Sequence, residues 1–156
     1  MEPKPVSVQN LLLVRKGDQI LLAMKKRGFG TGWWNGYGGK VISGETIEES
    51  LIREVKEESG LTLKSQRKIG FLRFENVDKF VDVHFYEAQE FEGEPVETEE
   101  MAPKWFSITE LPYSSMWPTD RIWYKLYLAG KLFGGVVVFD EKHKILECDI
   151  HEVSEI

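Results

Sequence analysis

The chain has 156 residues, 42% hydrophobic and 29% charged, with a formal net charge of −6. This balance suits one compact domain over residues 1–156, and it removes any general electrostatic reason to bind a nucleic-acid polymer or an anionic membrane. No apolar run approaches the ~18 residues of a membrane span, and a lone Cys148 excludes an intrachain disulfide and points to a reducing, cytoplasmic setting.

The start, Met1-Glu2-Pro3-Lys4-Pro5, is polar and does not read as a signal peptide. Val8 to Val14 reads as a buried strand and Gln19 to Met24 as its return, a hairpin turning at Lys16-Gly17-Asp18. From Lys25 to Lys40 the chain is rich in glycine and aromatic residues. Loop glycines let backbone approach a ligand, and aromatic faces can stack on a base. This is not a Walker A loop, because Val41 follows Gly39-Lys40 where Ser or Thr is required.

The next segment is an amphipathic helix, since Ile47, Leu51 and Val55 recur every fourth position with Ile52 beside them. Thr46 fits its N-cap with Glu49 completing a capping box, and Gly60 fits the stop after Ser59. Glu54, Glu57 and Glu58 share one helical face, where carboxylates about 5–6 Å apart at Cβ repel unless a cation joins them. Carboxylate oxygens are the ligands that Mg²⁺ and Mn²⁺ prefer, so this face is a candidate metal site. Arg53 lies four residues from both Glu49 and Glu57 and is expected to orient a glutamate.

Leu63 to Phe74 and Val81 to Tyr86 read as strands around a turn at Asn76-Val77-Asp78, and His84, His143 and His151 are expected to be structural. An acidic loop, Glu97 to Met101, precedes a strand at Lys104-Trp105-Phe106 and a short helix or turn at Ile108 to Pro112. A second helix is expected from an N-cap at Thr119 to about Ala129, ended by Gly130. Leu132 to Phe139 and Lys144 to Ile150 read as a closing hairpin, with a loose end from Glu152 to Ile156. This order predicts an α/β domain with a mixed sheet flanked by helices.

Gly39, Glu45, Arg53-Glu54, Val55, Glu57-Glu58, Gly60 and Leu61 match every defined position of the Nudix box. The chain therefore resembles the Nudix hydrolases, which implies a Nudix α/β/α sandwich with a mixed, mainly antiparallel sheet. Lys25 to Gly30 followed by Trp34 to Val41 looks like the branch of oxidised-purine nucleoside triphosphatases, the 8-oxo-dGTP diphosphatases. That resemblance implies hydrolysis of a damaged purine nucleoside triphosphate, such as 8-oxo-dGTP or 2-oxo-dATP, to monophosphate and pyrophosphate. The partner is then a free nucleotide, and the chain is expected to act as a monomer.

The resemblance also implies roles. Glu54, Glu57 and Glu58 hold Mg²⁺ (or Mn²⁺) with help from Gly38 and Glu100, while Arg53 orients a glutamate. Which glutamate acts as general base stays open. Lys25 or Lys40 adds positive charge beside the phosphates. Lys25, Phe29, Phe74, Val81 and Met101 line the nucleotide pocket, Asn35 reads the base, and Trp117 stacks on it. Two adjacent aspartates read the oxidised purine in that branch; here the first is Thr119 and only Asp120 remains. A hydroxyl can donate and accept but cannot form a coupled carboxyl pair, so the base preference stays open. The alternatives are a pyrophosphatase of other nucleoside diphosphate derivatives, such as ADP-ribose or dinucleoside polyphosphates, and an inactive nucleotide-binding module.

Overall fold

A computed structural model describes residues 4–156, so the first three residues of the polar start lie outside it. Eight strands join in one sheet. Its order is β3 (Trp34–Asn35), β2 (Gln19–Lys25), β1 (Val6–Lys16), β5 (Phe80–Glu92), β4 (Thr62–Glu75), β7 (Leu132–Phe139) and β8 (Ile145–Val153), while β6 (Met101–Ser107) pairs with β2. The β1–β5 and β4–β7 pairs are parallel and the others antiparallel.

Strand β1 explains why two helices are needed. Alternate residues of a strand point to opposite faces. Leu12 and Val14 pack with Leu51 and Val55 of α1 (Ile47–Ser59), whereas Leu13 packs with Trp123, Tyr124 and Tyr127 of α2 (Asp120–Leu128). A strand buried on both sides reads as an unbroken apolar run. The result is an α/β/α sandwich with one core under each helix.

The expected β1–β2 hairpin forms, but only Val14, Arg15 and Lys16 pair with β2. Val6 to Leu13 pairs in parallel with β5, a contact between distant segments. β6 tolerates Pro103 because it pairs with β2 alone, and an edge position does not need every N–H. Glu152 and Val153 are not loose: they pair with Phe133 and Leu132 in the closing hairpin.

Helix α1 matches its sequence signals. Thr46 accepts from the Glu49 N–H at 3.0 Å and Glu49 Oε1 accepts from the Thr46 N–H at 3.0 Å. Gly60 adopts φ 80°, the left-handed conformation that ends the helix. Helix α2 differs from expectation. Thr119 has helical angles (φ −79°, ψ −13°) and makes no side-chain cap bond. Asp120, one residue later, satisfies the entry by accepting from the Trp117 N–H at 3.2 Å.

The capping box fixes where the glutamate-bearing helix begins. Thr46→Ala should lower stability by about 1 kcal/mol, read as a shifted urea midpoint at constant m. An unchanged midpoint would show that tertiary packing alone sets this helix start.

Candidate active site

Glu54, Glu57 and Glu58 of α1 and Glu100, at the foot of β6, line one cavity of about 230 Å³. A larger open hollow of about 630 Å³ lies beside Val6–Val8 and Lys40–Glu45. Its one carboxylate, Glu45, is already paired with Arg53, so the smaller cavity holds the chemistry. Burial pushes the Glu58 carboxyl up to about 7, and Glu54 and Glu100 add to the rise while Lys25 opposes it. Glu54 is also raised, first by burial and further by Glu57 and Glu45, against the lowering effect of Arg53. Half-buried acids that repel one another are a donor set short of positive charge, which a hard divalent cation fits.

Each acid has a protein partner that draws it aside. Arg53 Nη1 lies 3.1 Å from Glu54 Oε1 and 3.3 Å from Glu57 Oε2. The Gly38 N–H donates to Glu58 Oε1 at 2.9 Å. Arg27 reaches Glu100 Oε1 at 3.1 Å. Among the described residues no three His, Cys, Asp or Glu side chains converge into a finished ligand set. The Gly38 contact seen is thus its amide on Glu58.

Arg53 does not pair with Glu49, which the capping box occupies. Its fork closes on Glu45 instead, with Nε to Oε2 at 2.8 Å and Nη2 to Oε1 at 3.0 Å. This bidentate pair holds the Glu45 carboxyl below its ordinary value. It leaves Nη1 facing Glu54 and Glu57. Gly39 leaves room beside them, because a Cβ there would sit 2.8 Å from the Glu54 carboxyl carbon and push that side chain aside.

The aromatic residues gather on the α2 side. Trp117 stacks with Phe29 (5.4 Å, 21°) and with Trp33 (5.4 Å, 10°). Phe74 and Val81 face each other across β4 and β5 and pack on the α2-side core. Thr119 and Asp120 are both buried, at 4% and 6% exposure. Asp120 Oδ1 accepts from the Trp123 Nε1–H at 3.0 Å, and burial pushes its carboxyl up to about 7. Lys25 links the two sides: it acts electrostatically on Glu58, and its stem lies by Gly30, where a Cβ would be 3.3 Å from the Trp117 ring. Lys40 instead lines the larger hollow.

Two expected pocket residues, Met101 and Asn35, lie on the α1-side face of the sheet. Met101 packs in the α1-side core, across the sheet from Phe74, because its β6 register sets it opposite Lys25. Asn35 is registered with Ala23 of that same core, and its Oδ1 accepts from the Gly36 N–H at 2.9 Å.

Three residues were not singled out from sequence. Asn10, at 4% exposure, accepts from the Gly39 N–H at 3.1 Å and donates to the Ile47 carbonyl at 3.3 Å, tying the glycine loop to the helix start. An amide at the head of the apolar run Leu11 to Val14 was the available signal. Trp33 adds a second ring to Trp117, and Tyr37 is fully buried beneath α1.

The model of the Nudix domain matches residues 3–127. The chain is 47% identical over 148 residues to the oxidized purine nucleoside triphosphate hydrolase of Danio rerio, covering 94% of this chain and 95% of that protein. It is 45% identical to the Mus musculus protein of the same name, covering 92% and 94%. The crystal structure of a MutT protein from Bacillus halodurans superposes with a TM-score of 0.79 at 27% identity, covering 92% of this chain and 97% of that one. Nudix hydrolases generally need a divalent metal ion, the charge that these four clustered carboxylates lack. The box residues lie around the acid cavity, the domain match spans most of the chain, and the chain belongs to the Nudix hydrolase family.

Proposed function

We propose that this protein hydrolyses oxidised purine nucleoside triphosphates, such as 8-oxo-dGTP or 2-oxo-dATP, to the monophosphate and pyrophosphate, and so cleanses the nucleotide pool. The observation that carries this reading is the cavity shared by Glu54, Glu57, Glu58 and Glu100, with Lys25 reaching from it toward Trp117. Two relatives covering nearly the whole chain, named for oxidized purine nucleoside triphosphates, support the substrate class.

Glu54, Glu57 and Glu58 would hold Mg²⁺, with Glu100 as a further carboxylate. The ion, when bound, supplies positive charge against the polyphosphate and lowers the pKa of water at the site. The protein's own groups do the rest. Arg53, held by Glu45, orients Glu54 and Glu57. The Gly38 amide fixes Glu58. Lys25 offers a cation to the phosphates. Trp117 presents a stacking face, with Phe29 beside it. Asp120 presents a buried carboxyl held by Trp117 and Trp123, with Thr119 adjacent. Phe74 and Val81 support the wall on that side. The enzyme acts as a monomer on a free nucleotide in the cytoplasm, where exposed Cys148 stays reduced.

Glu57 is exposed, so Glu57→Gln should fold normally while lowering kcat by orders of magnitude; near-normal pyrophosphate release from 8-oxo-dGTP with Mg²⁺ would remove it from the metal site. Trp117→Ala should weaken nucleotide binding by about 1–3 kcal/mol with a smaller effect on kcat. An unchanged KM would place the base elsewhere. Thr119→Asp should shift the kcat/KM ratio between oxidised and normal purine triphosphates toward the oxidised ones. A constant ratio across the panel would show that position 119 only packs.

A further inference from the structure

The Tyr37 hydroxyl is a buried donor without an acceptor, and the acid site contains an acceptor short of donors. Tyr37 is fully buried in the α1-side core with Leu51 and Val55, and among the described residues its hydroxyl has no hydrogen-bond partner. Such a group costs free energy unless something satisfies it, and buried unpaired polar atoms in native proteins call for an explanation. Its backbone is fixed by two bonds to Leu12, at 2.6 and 3.1 Å, so the ring cannot leave by moving the chain. The next residue, Gly38, donates its amide to Glu58 Oε1, so the backbone beside Tyr37 is anchored to Glu58. Glu58 is the charged group that acts on Tyr37, and with burial it raises the phenol. Among the described residues the Gly38 amide is the one donor to the half-buried Glu58 carboxyl, although a carboxylate accepts several.

We propose that Tyr37 is a positioning residue for the divalent-cation site, its hydroxyl donating to the Glu58 carboxylate when that carboxylate serves as a ligand. The inference rests on the metal-site reading above and goes beyond it. A ligand whose second oxygen is held by a neighbouring donor keeps one orientation, and such outer contacts tune metal affinity. A phenylalanine would fill the same core space without the hydroxyl, so a ring at this position needs another reason to carry oxygen.

The test is Mn²⁺ binding to the full chain without nucleotide, followed by calorimetry and by the free Mn²⁺ spin signal, with thermal unfolding in EDTA as a control. Tyr37→Phe should bind Mn²⁺ roughly three- to tenfold more weakly, the factor that one ordinary hydrogen bond represents. Its midpoint in EDTA should be equal or higher, because an unpaired buried hydroxyl is gone. Combining Tyr37→Phe with Glu58→Gln should cost no more Mn²⁺ affinity than Glu58→Gln alone. Unchanged Mn²⁺ affinity in Tyr37→Phe, or additive losses in the double variant, overturns the proposal and leaves the metal site standing. Failure of the unaltered protein to bind Mn²⁺ overturns both.

Discussion

The bidentate pair between Arg53 and Glu45 is the contact on which the acid site depends. Glu45 lies in the loop before α1, and Arg53 lies two turns into the helix. Their fork-to-carboxylate geometry is specific in angle as well as distance. It ties loop to helix and leaves one guanidinium nitrogen directed at Glu54 and Glu57. Three like charges on one helical face would otherwise spread into solvent. Lys at position 53 would supply charge without the planar fork, so it could not grip Glu45 with two bonds and still reach the other two acids. Gly39 completes the arrangement by leaving room for the Glu54 carboxyl.

The sheet separates two tasks. On the proposed function, the residues for phosphate and cation would lie with α1, and those for a base with Trp117 and the start of α2. This division follows from β1, whose alternate residues bury both faces. The connection between the sides is short. Lys25 ends β2, and the glycine loop turns directly after it, with left-handed Gly28 and Gly30 packing close to its stem. A nucleotide has the same polarity, with an anionic end and a flat aromatic end a few bonds apart. The order Lys25, Phe29, Trp33 along the loop repeats that polarity.

Local signals were legible in the sequence and distant ones were not. The capping box at Thr46 and Glu49, the stop at Gly60 and the carboxylate face of α1 are set by neighbours within a few residues, and all appear as expected. The sheet was legible only as strands. Parallel pairing of β1 with β5 joins residues some seventy positions apart, and periodicity carries no record of a partner. The same limit explains Arg53. Helical spacing proposed Glu49 or Glu57, but Glu49 is committed to the cap, and the loop conformation that brings Glu45 into reach is not a helical property. The face that Met101 takes is likewise decided by register against β2 rather than by its sequence neighbours. Thr119 shows a competing local interaction: its hydroxyl could cap, yet Asp120 next to it takes the Trp117 N–H.

That same carboxyl explains why a lone aspartate is a different recognition device from a pair. Two adjacent carboxyls in one buried site titrate together, and one is held protonated by the other's charge. Here the neighbour is the buried hydroxyl of Thr119, which carries no charge. Asp120 is raised by burial foremost, and the N–H donors of Trp123 and Trp117 partly offset that rise by favouring the anion. Its proton therefore depends on the hydrogen-bond partner it meets. A base edge that donates favours the carboxylate, and one that accepts favours the acid. Thr119 can donate to either, because its hydroxyl rotates. On the proposed function, discrimination between base edges would rest on a single carboxyl held by two tryptophans, with the ring of Trp117 three residues before it.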